Sequence, residues 1–221
     1  MFDRIIRLLS RYGTTFLGGL GTTLLLALIS VGIGCILGAL VAMMRIGRVK
    51  TLRAIATTYV EIIRDTPLLL QLYFFYFMLP DILPQLKLSK FTCIAVALVI
   101  NSGAYMAEVF RSGIQSIDRG QTEAARSLGL SSRQTMLRIV LPQAFKNILP
   151  ALCNEFVAVT KETSLASTFY VGDLMTQYQV ISGKTYLVLE PLIIIGIIYF
   201  VITFTMSKLI AVLERRLKED D

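Results

Sequence analysis

The sequence predicts an all-α integral membrane protein with five transmembrane helices and a helical cytoplasmic loop, and three observations predict it. Apolar residues make up 55% of the 221 and charged residues only 17%, with a mean hydropathy of +0.68, whereas soluble domains carry roughly 25% charged residues. The apolar residues lie in long blocks that one compact core could not absorb, which makes the bilayer their solvent. Lys and Arg are spread unevenly among the polar connections, the mark of an oriented membrane topology.

The elements follow in chain order within a single transmembrane domain, residues 1–221. Residues 14–44 form the first block; it exceeds the roughly 7–15 residues of a signal-peptide core and no A-x-A site follows, so it is a retained span. At about 20 residues per span, the other blocks are 54–79, 91–110, 148–170 and 186–213. Fourteen Lys and Arg fall in the connections after the first, third and fifth spans, against six on the other side. That count puts the N-terminus outside and the C-terminus in the cytoplasm. Arg4, Arg7 and Arg11 run against it and read as the polar face of a short interfacial helix, with Ile5, Leu8 and Leu9 opposite. Gly34 and Gly38 form a G-x-x-x-G pair that suits close packing within the chain. Phe74, Phe75, Tyr76 and Phe77 read as an outer aromatic belt.

Two spans carry charge. After Pro67 about 13 apolar residues remain before Pro80, roughly 20 Å of helix against a hydrocarbon core of about 30 Å. The turn holding Glu61, Arg64 and Asp65 therefore reaches membrane depth. The stretch after Pro150 already contains Asn154 and Glu155 and ends at Lys161-Glu162. Glu155 and Glu162, seven residues apart, share a helical face, as do Asn154 and Lys161. Ionisable groups at this depth are costly and face a bundle interior, a partner or a water-filled path.

The longest polar segment, residues 111–147, is built as two short helices. Asp118 with Gln121 reads as an N-cap and its box partner, and Gly129 suits the left-handed residue that closes a helix. Ser131 and Gln134 repeat the box spacing for a second helix that runs toward Pro142. On the first helix Ala124 and Leu128 share a face, Ala125 lies beside them and Glu123 sits at the edge. Such a hairpin either lies on its own bundle or presents a helix to the groove of a soluble partner.

Other classes are excluded. There is no histidine, and Cys35, Cys93 and Cys153 are scattered in apolar runs, so neither a Cys/His metal site nor a disulfide framework nor a His-dependent catalytic group can form. No basic stripe interleaved with aromatics suggests nucleic acid, despite the net charge of +7. Gly183-Lys184-Thr185 ends like a P-loop, but Tyr178 stands where its first Gly belongs, so ATP hydrolysis needs a partner and no catalytic residue is assigned.

Glu123-Ala124-Ala125, Gly129 and Ile139-Val140-Leu141-Pro142 have the spacing of the EAA loop and resemble the permease subunits of ABC importers. Arg64-Asp65-Thr66-Pro67-Leu68-Leu69, Ala104-Tyr105-Met106-Ala107-Glu108, Gly120-Gln121 and Lys161-Glu162-Thr163-Ser164-Leu165 resemble the polar amino acid permease group, from about residue 14 onward. Asp65 stands where many relatives carry Gly, and Glu162 where many carry Asp. The resemblance implies a type I importer in the bacterial inner membrane. Two permease subunits, identical or sisters, would sit on two ATPase subunits that hold ATP and Mg, and an extracytoplasmic binding protein would deliver an amino acid. It also implies a docking role for Glu123, Ala124, Ala125, Gly120, Leu128 and Gly129. Ala124 and Ala125 would pack in the partner's groove, Glu123 would accept hydrogen bonds or pair with a basic rim, and Gly129 would make the turn.

An amino acid offers an ammonium and a carboxylate. Arg64 is then a candidate for the carboxylate, Glu162 for an ammonium or a basic side chain, and Thr163 and Ser164 for hydrogen bonds, with Thr66 and Glu108 along the same path. The competing readings are internal pairing, such as Glu61 with Arg64, a bridge between the two membrane subunits, and a stand-alone carrier or channel relaying charge through Arg64, Glu108, Lys161 and Glu162.

Overall fold

The computed structural model describes residues 1–219, and the last two residues of the mixed-charge tail read at 214–221 lie outside them. No proline precedes Pro67, and the chain opens with one unbroken helix, α1 (Phe2–Ile46). At 45 residues it is about 67 Å long, more than twice the hydrocarbon thickness. The separate interfacial helix expected around Arg4, Arg7 and Arg11 is therefore not separate: it is the first turns of α1. A lone Gly13 costs too little to break a helix whose Leu8 and Phe16 are both buried.

Helix α2 (Lys50–Arg64) and helix α3 (Leu68–Ile82) replace the second predicted span. They meet at a 107° bend, so residues 54–79 are not one helix. Pro67 has no N–H and pushes Thr66 out of the helical region, which ends α2. Helix α4 (Lys90–Gln115), capped by Ser89, runs beside α1 at close range. A Cβ on Gly38 would lie 2.5 Å from Met106 Cβ and 2.8 Å from the Ala107 nitrogen, and one on Gly34 would lie 2.9 Å from Ser102 Oγ. The glycine pair thus joins two helices of the same chain.

Beyond α4 come α5 (Arg119–Ser127), α6 (Ser132–Thr135), a single π turn over Met136–Val140, and α7 (Leu141–Glu162). The second loop helix does not stop at Pro142. It passes through the π turn into α7, which begins at residue 141 rather than 148 and continues as a 3-10 segment to Phe169. Helix α8 (Leu174–Thr185) was missed in the sequence, and α9 (Leu189–Glu219) completes the bundle. Asp173 caps α8 by accepting the Met175 and Thr176 backbone N–H groups, and Gly19 of α1 gives α8 room to approach: a Cβ there would lie 3.0 Å from Leu174 Cα.

Among the described residues α1, α4 and α9 are each long and apolar enough to cross a membrane, and the bent α2–α3 pair makes a fourth. Helix α7, with Glu155, Lys161 and Glu162 in its second half, is too polar to pass on composition alone. One core cluster joins Leu26, Leu72, Leu98 and Phe169; a second joins Phe16, Leu174 and Ile195; a third joins Val41, Val60 and Ala107. Phe75 and Tyr76 pack on the first of these, so only Phe74 and Phe77 of the aromatic run face outward.

Candidate coupling helix and intramembrane charge cluster

Helix α5 is short, polar and closed at both ends. Asp118 accepts the Gly120 backbone N–H at 2.6 Å, while Gln121 donates its own backbone N–H to the Asp118 carbonyl oxygen at 3.1 Å. The cap is therefore an aspartate on Gly120, without the expected box to Gln121. Gly120 makes it feasible, because a Cβ there would lie 2.8 Å from Asp118 Oδ1. At the other end Gly129 adopts φ +84°, the Leu130 N–H reaches the Ala125 carbonyl at 3.2 Å, and the Gly129 N–H reaches that of Arg126 at 3.0 Å. This pair of bonds is a Schellman turn. Ser131 and Gln134 form a reciprocal capping box one step later.

The exposed face of α5 carries Glu123, Ala124 and Leu128. Leu128 is 84% exposed, a large apolar side chain with no cover from its own chain. Ala125 is 4% exposed, the buried residue of a helix that packs against the π turn and α6. The assignment of Ala125 to a partner's groove is corrected accordingly: its side chain is already covered by its own chain, while Ala124 is exposed.

The charged residues fall into two groups. Glu108 on α4 accepts Arg45 Nη1 at 2.6 Å, is gripped by the Arg111 guanidinium, and lies 3.9 Å from Arg64 Nη1. One carboxylate thereby ties the ends of α1 and α2 to α4. Arg64 also lies over the Tyr105 ring, 5.4 Å from its centroid. The internal partner of Arg64 is thus Glu108, and Glu61 makes no ion pair among the described residues. Glu155 and Glu162 form the second group, half-buried on one face of α7. Glu155 joins the candidate residues on that ground.

Three predicted path residues are placed otherwise. Thr163 is buried and donates its hydroxyl to the Thr160 carbonyl at 2.8 Å, so it does not offer that hydrogen bond to a path. Ser164 and Lys161 line a separate pocket of about 370 Å³ with Met175 and Tyr199. Thr66 donates to the Ile62 carbonyl and accepts from Gln71 Nε2 at 2.9 Å. Gln71 Nε2 also reaches the Ile63 carbonyl at 2.8 Å, and Asn101 Nδ2 donates to Gln71 Oε1 at 3.0 Å. These buried amides fix the α2–α3 bend to α4. Each is a polar side chain within an apolar run, which is the signal that could have found them. No group of three or more His, Cys, Asp or Glu side chains converges among the described residues to hold a metal.

The family profile of the binding-protein-dependent transport system inner membrane component matches residues 30–219. The arginine transport system permease protein ArtQ of Bacillus subtilis (strain 168) is 41% identical over 205 residues, covering 93% of each chain. The probable glutamine ABC transporter permease protein GlnM of the same organism is 41% identical over 204 residues, covering 92% of this chain and 94% of that one. A crystal structure of an amino acid ABC transporter with histidines superposes with a TM-score of 0.88 at 44% identity, over 94% of this chain and 96% of that one. The MetNI methionine ABC transporter, in an inward-facing form, shares the fold at a TM-score of 0.71 and 18% identity, over 92% of this chain and 98% of that one. These likenesses do not favour a stand-alone carrier or channel. The chain belongs to the inner membrane components of binding-protein-dependent transport systems, the permease subunits of type I ABC importers, among which its relatives are amino acid permeases.

Proposed function

We propose that this chain, with a second permease subunit that is identical or a sister, forms the path of a polar amino acid importer. Two ATPase subunits carry ATP and Mg, this chain hydrolyses none, and an extracytoplasmic binding protein delivers the amino acid. The N-terminus is outside and the C-terminus cytoplasmic. The five spans are then α1, the bent α2–α3 pair, α4, α7 and α9, with α7 tolerated at membrane depth because its charged face lines the path.

The observation that carries this reading is the exposed Glu123, Ala124 and Leu128 face on a helix capped at both ends. Ala124 lets a groove wall approach, Leu128 fills an apolar pocket and Glu123 meets the polar rim. A rigid helix in a groove moves when the groove moves, which supports alternating access driven from the ATPase side. Along the path, Glu155 and Glu162 suit an ammonium, and Arg64, with a long contact to Glu108, suits a carboxylate.

The test is co-expression with the neighbouring ATPase and measurement of ATP hydrolysis by the purified complex, with Glu123→Arg as the control. A complex that hydrolyses ATP and is lost in the control supports the docking face. Full assembly by Glu123→Arg refutes it.

A further inference from the structure

Glu108 sits among three guanidinium groups that share it unequally. Its Oε2 accepts from Arg45 Nη1 at 2.6 Å and from Arg111 Nε at 3.1 Å, while Arg111 Nη2 takes Oε1. A carboxylate oxygen offers about two lone-pair sites, so Oε2 is fully engaged. Oε2 is also the oxygen that Arg64 approaches, and Arg64 Nη1 stops 3.9 Å from it, beyond hydrogen-bond range.

Arg64 is thereby left with its donors unused. Among the described residues it donates no hydrogen bond, and neither adjacent carboxylate, Glu61 or Asp65, pairs with it. Its other contact is the Tyr105 ring, 5.4 Å from guanidinium carbon to centroid, a cation–π contact that consumes no N–H. The Arg64 side chain is 40% exposed, against 14% for Arg45 and 28% for Arg111, so it is the arginine of the three that an arriving anion meets. One carboxylate among three guanidinium groups also leaves the cluster positive, which favours that anion.

We propose that Arg45 and Arg111 are positioning residues: by saturating Glu108 they keep it from capturing Arg64, whose guanidinium then takes the α-carboxylate of the transported amino acid. This rests on the carboxylate role proposed for Arg64. Without Arg111, Oε1 and one site on Oε2 fall open, and a shift of about 1 Å by Arg64 closes a charge-assisted pair at about 2.8 Å. A captured Arg64 has its charge and donors engaged before substrate arrives. The site then loses what separates a free carboxylate from an amide.

The experiment uses the purified permease–ATPase complex without a binding protein. The protein L-amino acids are screened by equilibrium binding, and the tightest binder is compared with its own carboxamide. The native complex prefers the carboxylate, and R64Q abolishes the preference. R111Q lowers it about tenfold, the size of one charge-assisted hydrogen bond, and R45Q, which opens one site on Oε2, lowers it less. E108Q/R111Q, which removes the captor, recovers most of it, whereas a second lesion in a merely structural cluster would add to the first. Where R111Q does not assemble, R45Q and E108Q/R45Q give the same comparison. A preference lost in R64Q but kept in R111Q and R45Q leaves Arg64 as the receptor and overturns the positioning role. Failure of E108Q to rescue overturns it as well. No binding, no preference in the native complex, or a preference that R64Q keeps overturns the carboxylate role of Arg64 and this proposal with it.

Discussion

Gly129 closes α5 at φ +84°, and nothing lies within 4 Å of where a Cβ would project. Substitution there meets no clash, so its cost is that of the backbone alone. For Ala the left-handed conformation costs about 1–2 kcal/mol. Asn tolerates that region best among residues with side chains, and β-branched Val worst. Helix α5 has nine residues and buries only Ala125, too little to hold it without its closing turn. The cost therefore falls directly on the population of the closed turn, roughly a 5- to 30-fold loss for Ala.

The assay is recovery of the ATPase with affinity-purified permease at matched permease content, together with ATP hydrolysis by that complex. The expected order is Gly, then Asn, then Ala, then Val, with permease abundance unchanged because Gly129 is outside every core cluster. Val behaving like Asn, or Ala like the native chain, would refute the backbone argument.

Four further predictions concern packing and charge. Ala124→Arg should abolish ATPase recovery with the unfolding midpoint unchanged, whereas Ala125→Arg should lower the permease's own midpoint; equal effects on both readouts would remove the face assignment. Gly38→Ala should lower the midpoint by about 5 °C, from about 1–3 kcal/mol of overpacking against Met106 and Ala107, while Gly32→Ala, with nothing within 4 Å, should not lower it. Glu108→Gln removes the carboxylate shared by three arginines and should cost about 1–2 kcal/mol, discounted for partial exposure. Arg45→Gln should then cost less in that background than alone, and simple additivity in the double variant would contradict the pairing. Gln71→Leu strands the Asn101 amide and should cost about 1–3 kcal/mol in chemical denaturation, part of which the Q71L/N101L double variant should recover.

What the sequence makes legible is what local rules decide. Gly129 and the Ser131–Gln134 box follow from residues within one turn, and both motifs stand in the structure. The bend at Pro67 is visible locally, but its anchoring is not, because the Gln71–Asn101 bond spans thirty residues. For Glu108, Arg111 is an i, i+3 neighbour open to inspection, while Arg45 comes from 63 residues away. Helix α8 escaped because Leu174–Thr185 mixes polar and apolar residues without period. Its order comes from α1, where Gly19 admits it and Thr23 accepts the Leu174 N–H at 3.0 Å. The neighbouring alanines, Ala124 and Ala125, were separable only by packing.

The continuity of the chain from α5 to α7 connects the two groups of candidate residues. Helix α5 packs on the π turn at Met136–Val140, and that turn runs without a loop into α7, which carries Glu155 and Glu162. Pro142, which has no N–H to donate, sits two residues after the π turn, so the join is a softened helix instead of a flexible linker. A displacement of α5 must then appear as rotation or tilt of α7. Helix α7 is also held to α4 by the Asn147 amide on Ser116 and by Gly113 packed against Ile148, five residues beyond Glu108. The same movement therefore loads the contact between Glu108 and Arg64. At 3.9 Å that contact is the longest of the cluster. Among the ion pairs of Glu108, the Arg64 contact is the one most easily exchanged for another partner when α7 moves.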